Sequence, residues 1–174
     1  MAKIRLLVHI VDTVNEWVGR ITSLLILAAV GVIIFEVVVR YGFNAPTKWS
    51  FESSVFLFCG YILLGGGYTL LYGEHVNTDV FYRRFPLRTK AIVDLFTAVL
   101  SFLFCIVLLW EGRELAWDAT EIGRHSQTPW GPPLYPVLWV IPLGAGLLLV
   151  QVLVKFIRDL LTAVTGQKEE PYGH

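Results

Sequence analysis

Charge is scarce in this chain: 14 basic and 14 acidic residues among 174, or 16%. Soluble globular domains carry about 25% charged residues, so an ordinary soluble fold is excluded. The formal net charge is zero, which leaves no cationic excess for nucleic acid. Cysteine is also sparse. Cys59 and Cys105 both sit inside apolar runs, where a thiol acts as a small hydrophobe. No disulfide framework and no Cys/His spacing of a metal site is present. The four histidines, His9, His75, His125 and His174, all lie away from the middle of the apolar runs. A haem held between helices needs facing axial histidines there, which argues against a cytochrome. No Ser/His/Asp or Cys/His constellation is evident. These shortages predict a protein that is not an enzyme and that carries no metal and no cofactor.

What the chain has in abundance is apolar sequence. Hydrophobic residues make up 55%, and the mean hydropathy is +0.62. Four runs, at about residues 21–43, 49–72, 91–110 and 134–156, reach the roughly 20 residues that a helix needs to cross about 30 Å of hydrocarbon. Runs this long and continuous are helices rather than barrel strands. The expected fold is an all-α integral membrane protein, with a single membrane domain over residues 1–174. The first run is too long for a signal-peptide core and no A-x-A site follows it, so a retained N-terminus is expected.

Residues 3–20 place Ile4, Leu7, Val8, Val11, Val14 and Val18 at three- and four-residue spacing, with Arg5, His9, Asp12, Glu16 and Arg20 opposite. That pattern suits an N-terminal amphipathic interfacial helix. The simpler reading is a helical extension of the first span, and both stay open. Basic residues set the orientation. Lys3, Arg5, Arg20, Arg83, Arg84, Arg88, Lys90, Lys155, Arg158 and Lys168 fall on one side; Arg40, Lys48, Arg113 and Arg124 fall on the other, ten against four. The positive-inside rule then puts both termini in the cytoplasm. The third span is expected to continue outward through 111-EGRELAWDATE-121 and to break before 129-PWGPP-133. Pro142 predicts a kink in the fourth run.

Few residues inside or beside these spans carry chemistry. Glu36 and Arg40 are four apart, share a helix face and can pair. An intramembrane carboxylate is a functional candidate by default, but a complementary charge one turn away favours a structural pair. Glu52, just past Trp49, suits either a cap of the second span or a pairing with Arg40 across the short turn. Gly65, Gly66 and Gly67 let helix backbones approach closely, within this chain or against another. His75 and Asp79 are four apart at the inner edge and suit capping or loop anchoring; a metal would need more ligands.

The ordered motifs resemble one family. The stretches 36-EVVVRYGFNAPTKWSFE-52, 64-LGGGYTLLYGEHVNTD-79 and 141-IPLGAGLLLVQ-151 are similar to the small membrane subunit of tripartite ATP-independent periplasmic (TRAP) transporters. The likeness carries Glu36, Arg40, Pro46, Trp49, Glu52, His75 and Asp79, and extends over essentially the whole chain. It implies a helper subunit in a bacterial or archaeal cytoplasmic membrane, beside a large multi-span subunit that carries the transport pathway and sodium sites. It also implies a periplasmic binding protein that captures an organic acid. Glu36, Arg40, Trp49, Glu52, Gly65, Gly66, Gly67, His75 and Asp79 are then candidates for subunit contacts or internal structure. Lys48, Arg113, Arg124 and Trp130 are candidates for docking the binding protein. A self-contained small transporter or channel and a membrane anchor of a redox complex are the alternatives.

Overall fold

The computed structural model describes residues 2–72 and 87–165. It has five helices there: α1 (Ala2–Gly42), α2 (Ser50–Leu71), α3 (Leu87–Glu121), the single turn α4 (Tyr135–Leu138) and α5 (Val140–Thr165). Four stretches are long and apolar enough to cross a membrane: Val8–Gly42, Ser50–Leu71, Phe96–Glu121 and Tyr135–Arg158, the last joining α4 to α5. Among the described residues the only β feature is an isolated bridge between His125 and Pro133.

Of the two readings of residues 3–20, the extension is what is found: α1 is one helix of 41 residues. The faces of its first half explain why. Asp12 and Asn15 are buried, whereas Ile10, Val14 and Trp17 are exposed. Asp12 and Asn15 thus point into the bundle while His9 and Arg20 stay exposed, and the outward apolar residues do not form the single face of a helix lying on a membrane surface. His75 and Asp79 lie outside the described residues.

α2 lies along both α1 and α5, and α3 packs against α5. Small side chains make these contacts possible: Ala29, Ala98, Cys105, Ala116, Ala119 and Ala145 are all buried. In lipid, where apolar side chains gain little by leaving the solvent, close backbone approach and dispersion hold helices together. Gly144 shows how close. A Cβ there would stand 2.5 Å from the Leu63 carbonyl oxygen, so α2 and α5 touch backbone to backbone. A Cβ on Gly67 would collide with the Asn15 side chain. Gly65 and Gly66 face Thr22 of α1 and Leu148 of α5 at 4.0 and 3.8 Å. The glycine run is thus engaged inside this chain.

α3 continues to Glu121 and ends on a Schellman motif. Gly123 adopts φ +63°, Gly123 N donates to Thr120 O at 3.2 Å, and Arg124 N donates to Ala119 O at 2.8 Å. The loop that follows closes on itself through Ser126 N to Pro132 O and Leu134 N to Arg124 O, each 2.9 Å. The helical break in the fourth run falls at Trp139, between α4 and α5, rather than at Pro142 itself. Pro142 sits in the first turn of α5; its ring crowds the carbonyl one turn earlier, and the chain yields there.

Candidate functional site

The chain's polar side chains gather at two levels of the bundle. The first lies where α1 turns into α2. Glu36 Oε1 accepts from Arg40 Nε at 2.9 Å and Nη2 at 2.5 Å. Its other oxygen accepts from Thr47 N at 3.2 Å and from the Thr47 hydroxyl. The carboxylate therefore ties the last turn of α1 to the turn that follows. Asn44, at φ +52°, reverses the chain inside that turn. Trp49 stacks on Phe35 with ring centroids 5.8 Å apart.

Of the roles expected from the sequence, Glu52 keeps only the favourable place in the first turn of α2. It does not pair with Arg40, and no side chain caps α2. Its two oxygens accept from the hydroxyls of Ser126 and Thr128, the second at 2.7 Å. Buried at 8% exposure, it fastens the α3–α4 loop to the first turn of α2. Its negative charge is also well placed at that helix's positive end. Lys48, Arg113, Arg124 and Trp130 are all exposed at this end of the bundle. Arg113 lies over the Trp110 ring, 5.9 Å from its centroid. Arg124 and Trp130 ride on the fastened loop.

The second level joins α1 to α5 at the opposite end, and sequence reasoning missed it. Arg158 Nη2 and Gln151 Nε2, the latter at 3.1 Å, donate to the two oxygens of Asp12. Asn15 Nδ2 donates to Gln151 Oε1 at 2.8 Å. Asp12, Asn15 and Gln151 are each 3% exposed or less. The signal available was a glutamine inside an apolar run and an Asp and Asn three apart. Only the crossing of α1 and α5 brings them together.

At both levels the carboxylate is held by donors of this chain. Among the described residues no group of three or more metal-ligating side chains converges.

With this geometry in view, comparison decides the family. Residues 29–162 match the family model for the DctQ component of tripartite ATP-independent periplasmic transporters. The chain belongs to the DctQ family. A Haemophilus influenzae protein named as a TRAP transporter small permease protein is 29% identical over 126 residues, 72% of this chain and 73% of its own length. The C4-dicarboxylate TRAP transporter small permease protein DctQ of Vibrio cholerae is 30% identical over 74 residues, 42% of this chain and 32% of its own length. This chain is thus a TRAP transporter subunit with membrane-spanning helices. The DctQ match takes in Glu36, Arg40, Trp49, Glu52, the glycine run, Gln151 and Arg158, while Asp12 and Asn15 precede it.

The Glu36 knot makes a specific prediction for this DctQ protein. Replacing Glu36 or Arg40 alone by an apolar residue leaves the other charge without its partner, and each single variant should give less monodisperse protein on size exclusion. Replacing both should restore much of the yield, because no unpaired charge remains. A double variant that behaves no better than the worse single one would refute the pairing.

Proposed function

We propose that this chain is a non-catalytic scaffold subunit of an ion-coupled, sodium-driven TRAP importer of organic acids. It packs on a large multi-span subunit that carries the substrate and ion path, and its loop end receives the periplasmic binding protein. One observation supports this above the rest: the acidic groups of the two polar levels are spent on internal contacts. Glu36 is taken by Arg40 and Thr47, Glu52 by Ser126 and Thr128, and Asp12 by Gln151 and Arg158. A 660 Å³ cavity between α1, α2 and α5 has only Asn15 and Thr22 as polar lining, among residues such as Val14, Leu64 and Val150. A carboxylate substrate needs donors around its cavity, and a sodium ion needs several converging oxygens.

Reconstitution tests this directly. Vesicles holding this chain alone should take up no organic acid. Vesicles with the large subunit and binding protein should do so, and omitting this chain should abolish uptake. Arg113→Glu with Arg124→Glu should lower uptake when binding protein is limiting and leave the membrane complex assembled. Uptake by the chain alone would overturn the scaffold reading, and unchanged uptake in the charge-reversed variant would remove the docking role.

The orientation follows from the ten-to-four division of basic residues. Single cysteines placed at Lys48 and Gly123, in a background without Cys59 and Cys105, should react with an impermeant reagent from the periplasm. A cysteine at Arg88 should react only after the membrane is opened. The opposite pattern would invert the topology and move the docking surface to the cytoplasm.

A further inference from the structure

We propose that the cleft between the end of α1 and the start of α2 is a phospholipid site, with the lipid's phosphodiester bound by Arg40 and the first turn of α2. The cleft has a volume of about 230 Å³. That is below the roughly 300–1,000 Å³ of pockets that enclose whole small molecules, and suits a headgroup whose chains lie outside.

Glu36 forms the back of the cleft, but its charge is spent: all four of its hydrogen bonds come from Arg40 and Thr47. Arg40 is not spent. A guanidinium has five N–H groups. Glu36 takes Nε and one Nη2 hydrogen, and half of the Arg40 side chain remains accessible. The three remaining donors have no partner among the described residues. Ser50 lines the same cleft at 3% exposure. Its hydroxyl oxygen is fully buried beside the Glu36 carboxylate, behind the cleft surface. α2 opens here without a side-chain cap, and its first intrahelical bond is Ser53 N to Trp49 O. The N–H groups of the preceding turn are left as donors, with the Glu52 carboxylate already at the positive end of the helix dipole. The free donors of Arg40 and an uncapped helix start thus meet in one cleft.

Why the anion belongs to a lipid follows from the remaining walls. Ile33, Val37 and Phe51 line the cleft. They continue into the exposed apolar face of α1, where Ile34 and Val38 are also uncovered. A free anion gains nothing from such walls; an acyl chain does. Tyr41 and Phe51, which line the cleft, are 81 and 75% exposed. Aromatic side chains gather where bilayer headgroups lie, which puts Arg40 at phosphate depth.

The test titrates the delipidated full-length chain in detergent by native mass spectrometry. The probes are phosphatidylglycerol, a diacylglycerol with the same acyl chains, and inorganic phosphate. One phosphatidylglycerol should be retained per chain. Diacylglycerol should bind about tenfold more weakly, the loss expected for one set of charge-assisted contacts, and inorganic phosphate should not be retained. Ser54→Leu fills the cleft from its lipid-facing rim and leaves the Glu36–Arg40 pair untouched; it should lower phosphatidylglycerol retention about tenfold as well. Arg40→Lys keeps the charge but loses the fork, and should fall between wild type and Ser54→Leu. Equal retention of diacylglycerol would reduce the site to an apolar groove. Retention of inorganic phosphate would make it a soluble-anion site. Undiminished phosphatidylglycerol binding by Ser54→Leu would place the lipid elsewhere; any of the three overturns the proposal.

Discussion

Arg158→Met is expected to cost about 3–5 kcal/mol of stability, the range seen when one partner of a buried ion pair is removed. The reason is Asp12. Its side chain is 4% exposed, and without Arg158 its one remaining donor among the described residues is Gln151. The carboxylate must then stay charged among apolar helices or take up a proton, and either is costly. Asp12→Leu should cost less, because the long Arg158 side chain, already 13% exposed, can extend toward water. The double variant should be milder than Arg158→Met alone. Asp12→Asn, which keeps an acceptor for Gln151, should also be mild. Thermal unfolding of the purified chain in detergent reads all four. An Arg158→Met protein that melts with wild type would show that the knot contributes nothing.

A second large effect is expected at the opposite end, and it should be local. Glu52→Ala removes the carboxylate that holds the Ser126 and Thr128 hydroxyls. Hydrogen bonds to charged groups contribute about 1.5–3 kcal/mol each when made, so the loop over residues 122–134 should open more often by at least about tenfold. Hydrogen exchange of the amides in that loop, Ser126 and Leu134 above all, should speed up by that factor. The amides of α3 and α5 should exchange as before. Ser126→Ala with Thr128→Val should reproduce the change from the other side of the contact. If loop exchange is unaltered, the two backbone bonds that close the loop are enough to hold it. A loosened loop would also blur the positions of Arg124 and Trp130, which links this variant to the proposed docking of a binding protein.

The helices themselves were legible because their signal is one-dimensional. Residues 24–34 hold no charge, and 129-PWGPP-133 cannot be helical. The Glu36–Arg40 contact was equally legible, since i,i+4 spacing on one helix fixes the distance without any knowledge of tertiary structure. Glu52 was misread for the opposite reason. Its partners stand 74 and 76 residues away, and nothing local distinguishes a carboxylate that caps its own helix from one that reaches for a distant loop. Asp12 was assigned to the wrong face by the same limit. Three- and four-residue spacing shows that a helix has two faces; it does not tell which one meets water, lipid or protein. In a soluble protein the charged face is outward by default; here Asp12 turns inward against α5 while His9 and Arg20 of the same face stay exposed. The break at Trp139 is a smaller case: proline marks the turn that yields, while the neighbours choose the residue.

The length of α1 has a mechanical consequence. Its 41 residues span about 60 Å at about 1.5 Å each, twice the roughly 30 Å thickness of the hydrocarbon. α3, with 35 residues, is about 50 Å long. Rods of this size either stand upright and project, or lean. Leaning lets them follow the bilayer: a thinner membrane flattens them and a thicker one raises them. Because the Asp12 knot pins α1 to α5 at one end and the Glu36 knot pins it to the α2 turn at the other, α1 does not lean alone. A change in bilayer thickness is therefore expected to tilt α1, α2 and α5 together rather than α1 by itself.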